Sequence, residues 1–231
     1  TSEEVATRIS GTLDMVRSTL LTFAQVQGVQ DLDREETERL IVDMLRVIPF
    51  LQGIAVIRAD GRFLSTGSAG PPEEARTAEP PRTVADRAWF QQLIWSGEPV
   101  VSGLLKGRLT GQNVILVAVP IRKGTNHPHA VVGASLNLNR WFAFFSGLSL
   151  PPNMRIVVVD ADGIVLSQNQ GARSLVGQPI GAAFERPGLL EWEGHRLLME
   201  AALVRGVSWR VLAMFPRTAI YARAWQEVKA V

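Results

Sequence analysis

The residues of this 231-residue chain that carry reactive or ligating chemistry are few and scattered. Asp160-Ala161-Asp162-Gly163 opens like a calcium loop, but the third oxygen donor and the later Glu that such a loop needs are not at the right spacing. Its sequence reads instead as a hairpin turn. His127 and His129 flank Pro128 and could touch a metal, yet no third ligand stands near them, and residues 123–128 read as a solvated turn. His195 lies close to Glu191 and Glu193 in a segment that reads as a turn before a strand, which is too little for acid–base work. There is no Cys, so thiolate catalysis, disulfides and thiolate metal sites are excluded. Nor is there a Gly-x-Ser-x-Gly elbow, a phosphate loop or a convincing pair of acids. The chain is therefore expected to be no enzyme and to hold no metal and no cofactor.

With the chemistry this thin, composition carries more weight. Apolar residues make up 46% and charged residues 20%, the profile of a folded domain rather than a disordered one. Twenty-four basic residues face 22 acidic ones, and the two signs are interspersed, with only short pairs such as Arg122-Lys123. A nucleic-acid binder clusters its cations, so no nucleic-acid partner is expected. No apolar run approaches the roughly 20 residues needed to span a bilayer, and no signal peptide is present. The chain opens and closes inside helical patterns at Thr1 and Val231, as a piece cut between two flanking segments would.

Val5, Ile9, Leu13, Val16, Leu20 and Phe23 fall at gaps of three and four, predicting a long helix up to about residue 27 with one apolar face. That face either packs on its own domain or pairs with a second copy, giving a homodimer through the N-terminal helix. Gly28 and Asp31-Leu32-Asp33 interrupt it. A second helix is expected over 34–47, with Leu40, Ile41, Met44, Leu45 and Ile48 inward and Pro49 ending it. Strands follow at 53–57 and 63–66 around Asp60-Gly61, a hairpin turn signal. Residues 67–82 are rich in Pro, Gly and Glu and read as an exposed loop. A helix is expected over 86–94, strands over 114–122 and 130–138, and a connecting helix over 139–145. Ser146-Gly147 and Pro151-Pro152 mark the best boundary, and 217–231 reads as a closing helix with Ile220, Tyr221, Ala224, Trp225 and Val228.

After that boundary the pattern returns. Residues 155–167 repeat the earlier 55–65: an apolar strand, Ala-Asp-Gly, one residue, an apolar residue, then Leu and Ser. Residues 197–204 take the place of 114–121, and 209–215 that of 130–136. Duplication of this length means two copies of one folding unit. Each copy is a hairpin, an excursion and a longer hairpin, which one small antiparallel sheet flanked by helices satisfies. The second copy lacks most of the counterpart of 67–107, so whatever only the first copy does is expected there.

This layout resembles the double Cache domain, a PAS-like extracytoplasmic sensing module of bacterial receptors. The likeness spans essentially the whole chain. Asp86-Arg87-Ala88-Trp89-Phe90 resembles the family's Arg-x-Trp-(Tyr/Phe) element and Val100-Val101-Ser102-Gly103 the segment after it. Val117-Ala118-Val119-Pro120-Ile121 and Val131-Val132-Gly133-Ala134 resemble its central strands. Asp162-Gly163 through Gly177-Gln178-Pro179-Ile180-Gly181 resembles the opening of its second domain. The resemblance implies an α+β fold of two tandem PAS-like domains, each an antiparallel sheet flanked by helices, with a long N-terminal helix. It divides the chain into a helical stalk (1–48), a membrane-distal domain (49–145), a membrane-proximal domain (146–216) and a helix leading to the membrane (217–231). It implies the periplasmic portion of an inner-membrane protein, with transmembrane helices outside this chain. The output expected first is a histidine kinase, with a diguanylate cyclase or a chemoreceptor as alternatives, or a dimerisation module without a ligand. The implied ligand contacts are Arg87, Trp89, Phe90, Ser102, Val119 and Ser135. The sequence departs from the amino-acid-binding subgroup at two points. The aspartate that would pair with an ammonium falls on Ser135, and the Tyr expected five residues before the arginine falls on Arg82. Arg87 remains suited to a carboxylate through its bidentate fork, with Trp89 and Phe90 as apolar walls. The ligand expected is a small carboxylate or a neutral compound.

Overall fold

The computed structural model describes residues 2–69, 83–109, 111–124, 126–138, 140–141, 154–169, 174–181, 187–192 and 195–216. The expectations placed on Arg82 and most of the 67–82 loop, on 142–145, on the boundary at 146–152 and on 217–231 lie outside these residues. Helix α1 (Ser2–Phe23) buries the predicted stripe of Val5, Ile9, Leu13, Val16, Leu20 and Phe23. Glu3 and Glu4 in its first turn complement the positive end of its dipole. Gly28 does not simply break the chain but sits in a single turn, α2 (Gln27–Gln30), against the side chain of Glu36. Helix α3 (Arg34–Val47) begins where Asp33 accepts a hydrogen bond from the Glu36 amide at 3.0 Å, an ordinary N-cap, and stops before Pro49.

Two antiparallel sheets follow. The first holds β1 (Leu51–Arg58), β2 (Phe63–Ser68), β3 (Val100–Val101), β4 (Leu105–Lys106), β5 (Asn113–Ile121) and β6 (Ala130–Asn137), with helix α4 (Ala88–Ser96) between β2 and β3 in sequence. Its order is β2-β1-β6-β5-β3, and β4 also pairs with β5. The second holds β7 (Arg155–Val159), β8 (Val165–Gln168), β9 (Gly188–Trp192), β10 (His195–Leu203) and β11 (Arg210–Pro216), in the order β8-β7-β11-β10-β9. Replacing each strand by its counterpart in the repeat turns one order into the other. The hairpins even share an irregularity, a register shift between Val56 and Ile57 in one and between Val158 and Val159 in the other. Their turns place Gly61 and Gly163 at φ +84° and +74°, a conformation that side chains resist. The repeat read in the sequence is a repeat of structure.

By its contacts the chain divides into two units, Thr12–Trp141, and Thr1–Gly11 with Phe142–Val231. In the second, Ser10 near the start of α1 donates to the Arg205 carbonyl at 2.9 Å. Its core joins Val157, Val159, Val165, Leu197, Met199, Leu212 and Met214. Asp160 is buried at the β7–β8 turn and accepts from the Asp162 and Ile164 amides at 3.0 and 2.9 Å. That carboxylate closes a turn. His195 lies in β10 opposite Trp192, in a strand rather than the turn expected of it.

In the first unit, alternation along the strands gives the sheet two unlike faces. Ile54, Val56, Ile115, Val117, Val119, Ile121, Val132, Ala134 and Leu136 share one face and are buried. Helix α3 packs on this side so closely that a Cβ on Gly67 would lie 2.5 Å from Ile41 Cγ2. The other face carries Gly53, Ala55, Ile57, Leu116, Ala118, Val131, Gly133 and Ser135. There Ala55, Ile57, Ala118 and Val131 form a core with Trp89, Phe90 and Leu93 of α4. This second face is where the fold leaves space.

Candidate functional site

The site begins with how α4 is held. Thr83 Oγ1 accepts from the Ala85 amide at 3.1 Å, and Val84 O accepts from the Arg87 amide at 2.9 Å. This turn delays the helix by two residues from its predicted start and leaves Arg87 as an extended N-cap (φ −80°, ψ 128°). The turn is fixed in place by the first hairpin. Val84 N donates to Gly61 O at 2.9 Å, and a Cβ on Gly61 would lie 2.7 Å from Ala85 Cβ. At the far end, Gly97 adopts the left-handed conformation that ends many helices, and Arg122 donates to its carbonyl.

Between α4, the segment through β4 and the open sheet face lies a pocket with an empty volume of about 660 Å³, part of it open to solvent. Its floor is made largely of small residues. Ala55 and Gly133 stand in one row across β1 and β6, and Gly53 and Ser135 in the next, which Leu116 of β5 continues. Ile57, Phe63, Val84, Trp89, Leu105 and Leu109 supply apolar walls. The polar groups gather at Arg87, Lys106 and Arg108, with Ser135 on the floor donating to Gly53 O at 3.1 Å.

The three cations are not equivalent. Arg108 is held by the Thr83 carbonyl and the Asp86 carboxylate, and its side chain is only 25% exposed. Its hydrogen bond keeps the Asp86 carboxyl below the ordinary aspartate range; desolvation opposes this, while a backbone hydrogen bond and then the charges of Arg108 and Arg87 add to it. Arg87 donates to the Lys106 carbonyl at 3.1 Å and has no carboxylate within ion-pair distance among the described residues. Its acidic neighbours in sequence, Asp86 and Glu98, form no ion pair with it. No Asp or Glu lines the pocket among the described residues. Among the described residues, Arg87 and Lys106 therefore stand at an apolar pocket without an acid in its lining, while Arg108 is paired with Asp86.

Of the six residues singled out from sequence, Arg87, Trp89 and Ser135 line this pocket together. Phe90 is buried beside it, edge-on to Trp89 with ring centroids 5.7 Å apart, and so supports the wall from behind. Ser102 is buried at the end of β3. Its hydroxyl accepts from the Leu116 amide at 2.9 Å and donates to Gly103 O at 2.8 Å, so it completes the strand pairing. Val119 is buried on the opposite sheet face from its neighbour Ala118. Lys106, Arg108 and Gly133 also line the pocket and are not among those six. Lys106-Gly107-Arg108 lies at the end of the segment missing from the second copy, and Gly133 interrupts an apolar central strand; both were visible cues.

His129 faces away from metal chemistry: its Nε2 lies 2.8 Å from the Gln30 carbonyl. No cluster of His, Asp and Glu able to hold a metal occurs among the described residues.

Two antiparallel lobes of the same strand order, the first with a cationic pocket over a small-residue floor beneath a short helix, define a two-domain PAS-like sensor module. The chain belongs to the Cache domain family: the dCache_1 family model, described as "Cache domain", matches residues 1–224. Solved structures share the fold. The extracellular domain of a chain assigned as a histidine kinase, rpHK1S-Z16, aligns with a TM-score of 0.77 at 15% identity, covering 95% of this chain and 93% of that one. The ligand-binding domain of the Pseudomonas aeruginosa PAO1 amino acid chemoreceptor PctB, in complex with L-Arg, aligns at 0.75 and 19% identity, covering 96% and 94%. That of the Pseudomonas fluorescens chemoreceptor CtaA, in complex with L-leucine, aligns at 0.73 and 18%, covering 95% and 93%. A comparison with curated protein sequences finds no match. Among the described residues, no helix is long and apolar enough to cross a membrane.

Proposed function

We propose that this chain is the ligand-sensing part of a membrane receptor, lying outside the cytoplasm, and that its first lobe binds a small molecule with one carboxylate on a compact apolar body. The observation that carries the reading is the lining itself: Arg87, Lys106 and Arg108 with no acid among the described residues, over walls of Ile57, Phe63, Trp89, Leu105 and Leu109. A carboxylate meets the guanidinium fork of Arg87 through charge-assisted bonds, and the hydrocarbon body displaces water from the apolar wall. Among the described residues a free ammonium would have no anion to meet there, and a buried charge without a partner is strongly disfavoured. This separates the proposed ligand from the amino acids bound by PctB and CtaA.

Ligand acts by favouring one arrangement of the lobe over another, in proportion to the difference in its affinity for the two. A histidine kinase is the output this reading favours, with a chemoreceptor or a diguanylate cyclase next, and transmembrane helices flanking the chain carry the change inward. The test is a thermal-shift screen of small monocarboxylates. A compound that binds the folded form alone raises the melting temperature by mass action, and Arg87→Ala weakens that binding by at least about tenfold. A screen in which carboxylates leave the midpoint unmoved, or an Arg87→Ala protein that responds like the wild type, overturns the reading.

A further inference from the structure

The floor of the pocket contains a glycine that the fold does not require. Gly53 and Gly67 are explained by crowding: a Cβ on Gly53 would lie 2.9 Å from the Gly67 carbonyl, and one on Gly67 would strike Ile41. Gly133 differs. It lies in the middle of central strand β6, between Ala55 and Ala118, and is not among the residues of positive φ. The nearest atoms to a Cβ built on it are the ends of the flexible Leu116 side chain, at 3.3 and 3.9 Å, and Ala118 Cβ at 3.9 Å. Glycine inside a strand is unfavourable relative to alanine, and it often marks close approach by something that is not the strand itself.

The second lobe provides the internal control. Superposing the repeats by register, Ala55 corresponds to Val157, Gly133 to Leu212, Ser135 to Met214 and Leu116 to Met199. In the second lobe Val157, Leu212, Met199 and Met214 close over one another as buried core. The same position on the same strand of the same fold thus accepts a leucine. Where the second lobe fills this space, the first withholds side chains, and the pocket lies over the gap.

We infer that Gly133 is the specificity-determining residue that sets the depth of the pocket, so that the ligand's apolar body ends on the bare backbone of β6. This rests on the proposed binding of a carboxylate-bearing molecule and adds to it a limit on length. Each methylene that reaches the floor strengthens binding by about fourfold, until the chain meets Gly133.

The experiment measures dissociation constants of straight-chain monocarboxylates, acetate through octanoate, and of the matching primary alcohols, for the wild type, Gly133→Ala and the double variant Gly133→Ala/Leu116→Ala. Unliganded melting midpoints are recorded alongside. In the wild type, affinity climbs with chain length to an optimum. Gly133→Ala leaves the unliganded midpoint unchanged or raised, moves the optimum to a shorter chain, and weakens the wild-type optimum by about tenfold or more while sparing the shortest members. The double variant returns the lost length by giving back space beside position 133. Equal weakening at every length, or an unmoved optimum, overturns the role of Gly133 while leaving carboxylate binding intact. If the alcohols bind and the carboxylates do not, the ligand class is wrong, and the length series of alcohols still decides on Gly133. If neither series binds, both readings fall.

Discussion

Arg108 and Arg87 stand at the same pocket but have different partners, and the difference is made by Asp86. Its carboxylate is 64% exposed and takes a hydrogen bond from Arg108, which leaves Arg87 with a backbone carbonyl and no anion among the described residues. Folding lowers the pKa of Asp86 below the ordinary value of about 3.8, so the pair supports the fold above that value and its contribution is lost as pH falls through the lowered one. Asp86→Asn removes this dependence. Between pH 5 and pH 8 the difference in melting midpoint between variant and wild type is expected to be constant, and on acidification below about pH 3.8 it shrinks toward zero. A difference that grows on acidification contradicts the assignment. The same variant frees Arg108 to face the pocket, so affinity for a carboxylate probe is expected to hold or rise. Little of this was legible in sequence. Arg87 stood out through the motif around Trp89, whereas Arg108 is brought to Asp86 across 22 residues by the pairing of β4 with β5, a tertiary event without a local signature.

Local signatures were strongest at the turns. Ala-Asp-Gly occurs at 59–61 and 161–163, and both glycines occupy the left-handed region the turn demands. They differ in surroundings: a Cβ on Gly163 meets nothing within 4 Å, whereas one on Gly61 collides with Ala85 and Thr83. Gly163→Ala is thus expected to destabilise by about 1–2 kcal/mol, the backbone contribution alone. Gly61→Ala should exceed that in chemical denaturation and also weaken ligand binding, because Ala85 leads directly into Arg87. Equal losses for the two variants would show that the hairpin does not position α4. Helices were read to within a few residues where apolar spacing governed them, as in α1 and α3. The start of α4 was misplaced because the Thr83 and Val84 turn competes with helix for Asp86 and Arg87. The short β3 and β4 were missed since two-residue strands owe their existence to β5 alone. Alternation likewise explains why Val119, adjacent to Ala118 in sequence, belongs to the other face.

Across the whole chain, two copies of one sheet have been put to unlike ends. Residues 155–167 keep the hairpin of 55–65 so closely that the duplication is legible in the sequence, and the strand orders agree. The copies differ in volume: where Leu212 and Met214 make a solid core, Gly133 and Ser135 leave a recess. The recess, its cationic rim and the absence of an acid among its described lining residues make one claim about charge. A matched pair tests it: calorimetric titration of the wild type with 4-methylpentanoate and with leucine, which is the same skeleton carrying an ammonium. The account predicts that 4-methylpentanoate binds at least about tenfold more tightly, because the ammonium of leucine finds no anion among the described lining residues. Tighter binding of leucine, or no binding of the carboxylate, would contradict it.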